Sequence, residues 1–198
     1  MITKRQLQNI WALVAILFLA NAATAQDQAK AEAAPSNIHI KNFGQMDDRF
    51  YRGAQPGKSD YKDLAALGIK TVIDLREDSE AYEQPLVESL GMKYVHIPMI
   101  GKEYPTTEAI DAFLKTVNDP ATGKFFVHCA GGRHRTGAMG AVYRFRFYDW
   151  NFEQAYNEMK QYDFYTRFGH QAFKDFVKDY YTKNQAGKKV TGDRVQEK

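Results

Sequence analysis

The sequence predicts an α/β domain: a mostly parallel central sheet with helices on both faces. Two observations carry this. Short apolar runs at residues 69–75, 93–97 and 124–128 have the length and bounding turn residues of buried strands. Stretches with helical spacing separate them, and alternating strands and helices fit a parallel sheet covered on both sides.

Taken in order, Phe50-Tyr51-Arg52 reads as an early strand. Ser59 offers an N-cap for a short helix through Leu67, closed by Gly68. Ile69 to Leu75 is the first clear buried strand. Glu80 to Leu90 reads as a second helix stopped by Gly91, and Lys93 to Ile97 as another strand. Thr107 to Val117 is a third helix, with Ile110, Phe113, Leu114 and Val117 on one face. Lys124 to His128 follows Asn118-Asp119-Pro120 and Gly123 as a buried strand, and a helix with an apolar stripe runs from Thr136. Asn151 to Gln161 and Gln171 to Lys183 complete the helices, in an aromatic-rich C-terminal third whose rings are assigned to packing.

A chain of 198 residues with 44% apolar content fits one domain with peripheral segments. Residues 1–25 have the pattern of a secretory signal peptide. Lys4 and Arg5 precede an apolar stretch from Ile10 to Ala20, and Ala23-Thr24-Ala25 offers a cleavage site. The expectation is export, to the periplasm or the medium, with no stable membrane insertion once the signal is cleaved. The alternative is an uncleaved anchor, although the stretch is short for a spanning helix. Residues 26–37 read as a flexible lead-in, 38–184 as the folded domain and 185–198 as a polar tail.

Without Lys4 and Arg5 the formal charge falls from +3 to +1, which gives no case for a nucleic-acid partner. The five histidines, His39, His96, His128, His134 and His170, lack metal-ligand spacing, and no cofactor is expected. Cys129 is the only cysteine, so no internal disulfide can form. Keeping one free thiol in an oxidising compartment points to chemistry more than to structure.

That cysteine lies in His128-Cys129-Ala130-Gly131-Gly132-Arg133-His134-Arg135-Thr136-Gly137, between the last strand and its helix. Small residues let backbone N–H groups turn inward as an anion nest, and the helix N-terminus adds its positive end. Both favour bound phosphate and a lowered thiol pKa. Arg135 supplies a planar fork that matches two phosphoryl oxygens.

The loop resembles the Cys-x5-Arg-Thr signature of the cysteine-dependent tyrosine and dual-specificity phosphatases. Gly132 to Gly137 is most similar to the atypical plant-and-fungal group and its bacterial relatives, whose loop reads Gly-Lys-His-Arg-Thr-Gly. The resemblance extends over Asn42 to Tyr181, through Phe50-Tyr51-Arg52-Gly53-Ala54-Gln55-Pro56 and Thr71-Val72-Ile73-Asp74-Leu75-Arg76. A rhodanese-like sulfur-transfer loop is the alternative, disfavoured by the Arg-Thr-Gly ending.

The resemblance implies a phosphomonoester hydrolase acting through a phosphocysteine. Cys129 would be the nucleophile and Arg135 the transition-state clamp, with Thr136 donating to the sulfur and the backbone of Ala130, Gly131 and Gly132 binding phosphate. His128 would orient the loop through a backbone contact. Arg133 and His134 put a cation and a titratable ring beside the nucleophile, which favours an inositol polyphosphate or pyrophosphate over a phosphotyrosine or phosphoserine/threonine protein. The competing reading turns both side chains to solvent, or pairs Arg133 with a carboxylate.

Such phosphatases usually place an aspartate on the loop after a preceding strand. Here Pro98 to Thr107 has no aspartate, and Glu103 is the candidate general acid, against an ordinary loop glutamate. Asp74, Glu77 and Asp111 lie elsewhere. Arg52 and Arg76 follow strands and either extend the anion site or make structural ion pairs. A non-catalytic phosphate-binding module and a membrane-tethered scaffold are the rival classes.

Overall fold

The computed structural model describes residues 38–193, with side chains through residue 185. The signal-peptide and lead-in readings therefore lie outside the described residues. Five strands form one sheet: β1 (Gly44–Gln45), β2 (Phe50–Ala54), β3 (Thr71–Asp74), β4 (Lys93–His96) and β5 (Phe125–Cys129). Their order is β1-β2-β5-β3-β4, parallel except for the short β1, which runs antiparallel to β2. The α-helices are α1 (Asp60–Ala66), α2 (Glu83–Ser89), α3 (Thr107–Asn118), α4 (His134–Phe147), α5 (Phe152–Gln161) and α6 (Gln171–Asp193).

Alternation along β5 divides the core. Phe125 and Val127 join the cluster with Phe50, Ile73, Phe113, Val142 and Phe173, which covers the α3–α6 face. Phe126 joins Tyr51, Val72, Tyr61, Leu64 and Val87 on the α1–α2 face. Both faces are thus covered, as a parallel sheet requires.

The elements begin and end for local reasons. Thr106 caps α3 by accepting from the Ala109 N–H at 3.2 Å, and Asn151 and Gln154 form a capping box on α5. Gly68 and Gly91 close α1 and α2 with φ of 89° and 76°. Ser59, expected as an N-cap, has helical dihedrals and makes no side-chain cap bond. Asp60 instead accepts from the Gly57 N–H at 2.8 Å, drawing the preceding turn together.

Two helices are longer than expected. α4 starts at His134 rather than Thr136, and it is buried nearly all round instead of along one stripe, because β5, α5 and α6 all pack against it. α6 continues past Lys183 through Asp193, so the first part of the polar tail is helical. No helix among the described residues is long and apolar enough to cross a membrane.

The register brings the strand ends level. Ala54 and Cys129 are partners across β2 and β5, and Asp74 faces His128 across β3 and β5. The residues leaving β2, β3 and β5 therefore meet at the C-terminal edge of the sheet, where ligands bind in this architecture.

Candidate active site

Cys129 is the last residue of central β5, and its thiol is buried beneath the turn into α4. The turn is fixed from outside by three of its own carbonyls. Gln55 N–H donates to the Ala130 oxygen at 3.3 Å, Asn42 Nδ2 to Gly131 at 2.8 Å, and Arg52 Nη2 to Gly132 at 2.6 Å. In a trans peptide the N–H points opposite to the C=O. Holding these carbonyls outward aims the N–H groups of Gly131, Gly132 and Arg133 at the concave side.

Gly132 has a φ of 65°, and a Cβ there would overlap the Gly53 carbonyl carbon and lie 2.5 Å from the Ala54 nitrogen. Only glycine fits this approach of loop to strand.

Burial pushes the Cys129 thiol up, yet its pKa lies below the ordinary value. The Thr136 hydroxyl, the Arg135 charge and the backbone N–H groups of Thr136 and Gly131 outweigh burial. The Thr136 hydroxyl is buried without a geometric hydrogen-bond partner, and its proximity lowers the thiol pKa. Arg135 donates to the Met99 carbonyl at 3.1 Å, which ties the clamp to the loop after β4.

Arg52 is a buried brace. Besides the Gly132 bond, its guanidinium lies 4.0 Å from the Tyr162 ring centroid, and burial lowers its pKa to about 10. Arg76 bonds Gln55 and Glu80, each at 2.8 Å. Both arginines are thus engaged with protein partners.

The His128 side chain is buried against two carboxylates, a contact the sequence did not suggest. Its Nε2 lies 2.7 Å from Glu83 Oε1, and its Nδ1 lies 3.8 Å from Asp74 Oδ1. Glu83 also accepts from Tyr61 at 2.7 Å and Gln55 at 3.1 Å, while Asp74 accepts from Tyr94 at 3.0 Å and the Arg76 N–H at 2.8 Å. Burial pushes both carboxyls up. It prevails at Asp74, whereas the His128, Tyr61 and Gln55 contacts bring Glu83 below its ordinary value. Ligand atoms of Asp74, Glu83 and His128 lie within 4.8 Å of one another. The carboxylates are already engaged by protein donors, so the arrangement suits a brace under the nucleophile better than a metal centre. Nothing in the residue spacing marked Glu83, because it comes from another helix.

His134 and Arg133 part company. The His134 ring is packed among Phe164, Tyr165, His170 and Phe173, with Nε2 3.0 Å from the Tyr165 carbonyl. Burial first, then His170, lowers its pKa to about 4. Its ring is thus spent on packing, and its expected part in holding phosphate is left to the backbone. Arg133 is half-buried, with Nη2 3.7 Å from Asp163. This is the carboxylate pairing weighed against the polyanion role, but it is a long contact.

Glu103 is exposed. Its neighbour Tyr104 turns to α6, donating to Asp179 at 3.0 Å and packing on Phe176. Asp111 lines that same groove with Tyr104 and Arg146, and Asp74 is committed beneath the loop. None of Glu103, Asp111 and Asp74 is among the groups that chiefly shift the Cys129 thiol, and Asp163 approaches the loop only at Arg133.

A lowered thiol, an arginine fork and inward N–H groups at one helix N-terminus define a cysteine-dependent phosphatase. Residues 22–179 match the family described as DSP-PTPase phosphatase fused to NAD+ kinase, and the chain belongs to that family. DG1060 of Dictyostelium discoideum, which carries the name of a tyrosine-protein phosphatase, is 28% identical over 126 residues, 61% of this chain and 75% of its own length. The dual specificity protein phosphatase TpbA of Pseudomonas aeruginosa is 26% identical over 146 residues, 73% of this chain and 64% of its own. Among solved structures, the core catalytic domain of the PP-IP phosphatase SIW14 from S. cerevisiae superposes with a TM-score of 0.59 at 22% identity, over 75% of this chain and 95% of that one. P. aeruginosa TpbA superposes with a TM-score of 0.63 at 22% identity, over 78% and 92%.

Proposed function

We propose that the protein hydrolyses phosphate groups on a multiply charged small molecule of the inositol polyphosphate or pyrophosphate class. One observation carries this reading: His134, between Arg133 and Arg135 in the loop, stacks on His170 at 3.6 Å, and Lys102 packs against the adjoining Gly169. Three cations thus gather at this edge, and burial first, then their charges, lower the His170 pKa. So many fixed cations at one edge of a phosphate cradle suit a substrate with more charge than one monoester. The name of SIW14 as a PP-IP phosphatase agrees.

In the first step the Cys129 thiolate attacks phosphorus, the S–P bond forms and the P–O bond to the leaving group breaks. Arg135 and the loop N–H groups bind the non-bridging oxygens as their charge grows. An alkoxide leaving group needs a proton, for which Glu103 is the candidate donor. A phosphoanhydride leaves as a more stable anion and needs less help. A site whose candidate acid, Glu103, is exposed on a loop therefore suits anhydrides. Water then attacks the phosphocysteine, the S–P bond breaks, and inorganic phosphate and the thiolate are released. Thr136 stabilises the sulfur at both ends of the cycle.

A second reading, a phosphotyrosine protein phosphatase, is favoured by one neighbour. A Cys-to-Ser variant of TpbA was solved in complex with phosphotyrosine. Comparing kcat/KM for inositol phosphates with that for phosphotyrosine peptides decides. Equal or better turnover of the peptides overturns the small-molecule reading. Export belongs to the proposal on the strength of residues 1–25. It predicts a mature chain beginning at Gln26 outside the cytoplasm, and mass spectrometry of a full-length chain there would contradict cleavage.

A further inference from the structure

The segment joining α5 to α6 walls a pocket of about 480 Å³, lined by Arg133, Asp163, Phe164, Tyr165, Arg167 and Phe168. Of these, the chemistry above uses only Arg133. The segment is built against ordinary preferences. Phe168 is 75% exposed and holds a φ of 59°, a region costly for a bulky side chain. An exposed ring on a strained backbone points to function ahead of packing.

The ring has a visible use. Tyr165 stands edge-on to Phe168, with centroids 6.2 Å apart. The Arg167 guanidinium lies 5.7 Å from both ring centroids. Arg133 also lies 5.7 Å from the Tyr165 centroid. Cation–π support restrains a guanidinium while leaving its N–H edge free for an anion. The pocket's only carboxylate is Asp163, and its 3.7 Å approach to Arg133 is beyond hydrogen-bond range.

We propose that this pocket is a second anion subsite in which Arg167, held within cation–π distance of Tyr165 and Phe168, is the specificity-determining residue. It receives a further phosphoryl group of the same small molecule whose reacting phosphoryl sits over Cys129. The inference rests on the polyphosphate reading of the site. Arg133, which heads α4 and reaches the pocket, joins the two anion positions.

The test is the ratio of kcat/KM for inositol hexakisphosphate to that for 4-nitrophenyl phosphate. Arg167→Ala lowers this ratio about tenfold, the size of one charge-assisted contact, and Arg167→Lys restores only part of it. Asp163→Asn raises the ratio by removing the opposing charge, and asparagine tolerates the φ of 60° found there. That gain cannot come from a misfolded variant. A wild type with no preference for the polyphosphate overturns the polyphosphate reading and the subsite together. A clear wild-type preference that neither substitution alters overturns the subsite alone. Dependence on Arg167 for a phosphotyrosine peptide, and not for the polyphosphate, would assign the pocket to a peptide and equally overturn the proposal.

Discussion

The imidazoles of His134 and His170 stack face to face, with centroids 3.6 Å apart and planes 4° apart. The stack joins the first turn of α4 to the start of α6 and is surrounded by Lys102, Arg133 and Arg135. Burial and the neighbouring cations lower the pKa of both rings. His134 falls from an ordinary 6.5 to about 4, so the unfolded chain binds protons there more readily than the folded one. Stability is therefore full above about pH 6.5 and declines as pH drops toward 4, by at most roughly 3 kcal/mol from this group. Urea midpoints between pH 4 and 7 should fall with acid in the wild type and show a shallower slope in His134→Gln. Equal slopes would contradict the assignment.

Thr136→Ala removes the largest contribution opposing burial at the Cys129 thiol, so the thiol pKa rises. The pH midpoint for alkylation by iodoacetamide should move upward, and kcat should drop by roughly 10- to 100-fold. Thr136→Ser should restore most of both. Cys129→Ser should abolish vanadate-sensitive, EDTA-insensitive turnover. Activity surviving that change would remove the nucleophile from the mechanism.

Gly132→Ala places a methyl group against the Gly53 and Ala54 backbone, which cannot rotate aside. Strain and overlap together should destabilise the fold by about 3 kcal/mol. Activity should suffer beyond the unfolded fraction, because the loop must lift to admit the methyl. Differential scanning fluorimetry alongside turnover measures both.

Glu83→Ala leaves Tyr61 and Gln55 without their shared acceptor inside the core and removes the carboxylate 2.7 Å from His128 Nε2. Breaking such a buried set should cost about 3–5 kcal/mol in chemical denaturation. Glu83→Gln keeps the shape and one acceptor and should lose less. Similar losses for both would mean the charge, rather than the hydrogen bonding, holds the brace.

Glu103→Gln should slow hydrolysis of alkyl monoesters by about tenfold or more and leave anhydride cleavage unchanged. Unchanged turnover of every substrate would remove Glu103 from the mechanism.

The strand–loop–helix carrying Cys129 was legible because its chemistry is local. Nucleophile, clamp and hydroxyl lie within eight consecutive residues, and their order sets their geometry. The parallel sheet was legible from β3, β4 and β5, whose apolar runs are long enough to stand out. β1 was not, because Gly44–Gln45 is a two-residue strand defined only by its pairing with Tyr51 and Arg52. The Glu83–His128 contact and the His134–His170 stack join residues 45 and 36 positions apart, and neither spacing carries a local period. His134 misled for the same reason. Its place in the loop suggested phosphate, while its ring is directed by aromatics near residues 164–173 that no local pattern connects to it.

Gly53 and Gly132 meet backbone to backbone, with no side chain at that contact. No rotamer there can change, so at this point the cradle rests directly on the strand beneath it. The ordering of its N–H donors is complete once the chain has folded, and an incoming phosphate meets dipoles already aimed. Adaptation to different substrates then falls to the surrounding loops at residues 98–107 and 162–170, which can diverge in sequence while the cradle stays fixed.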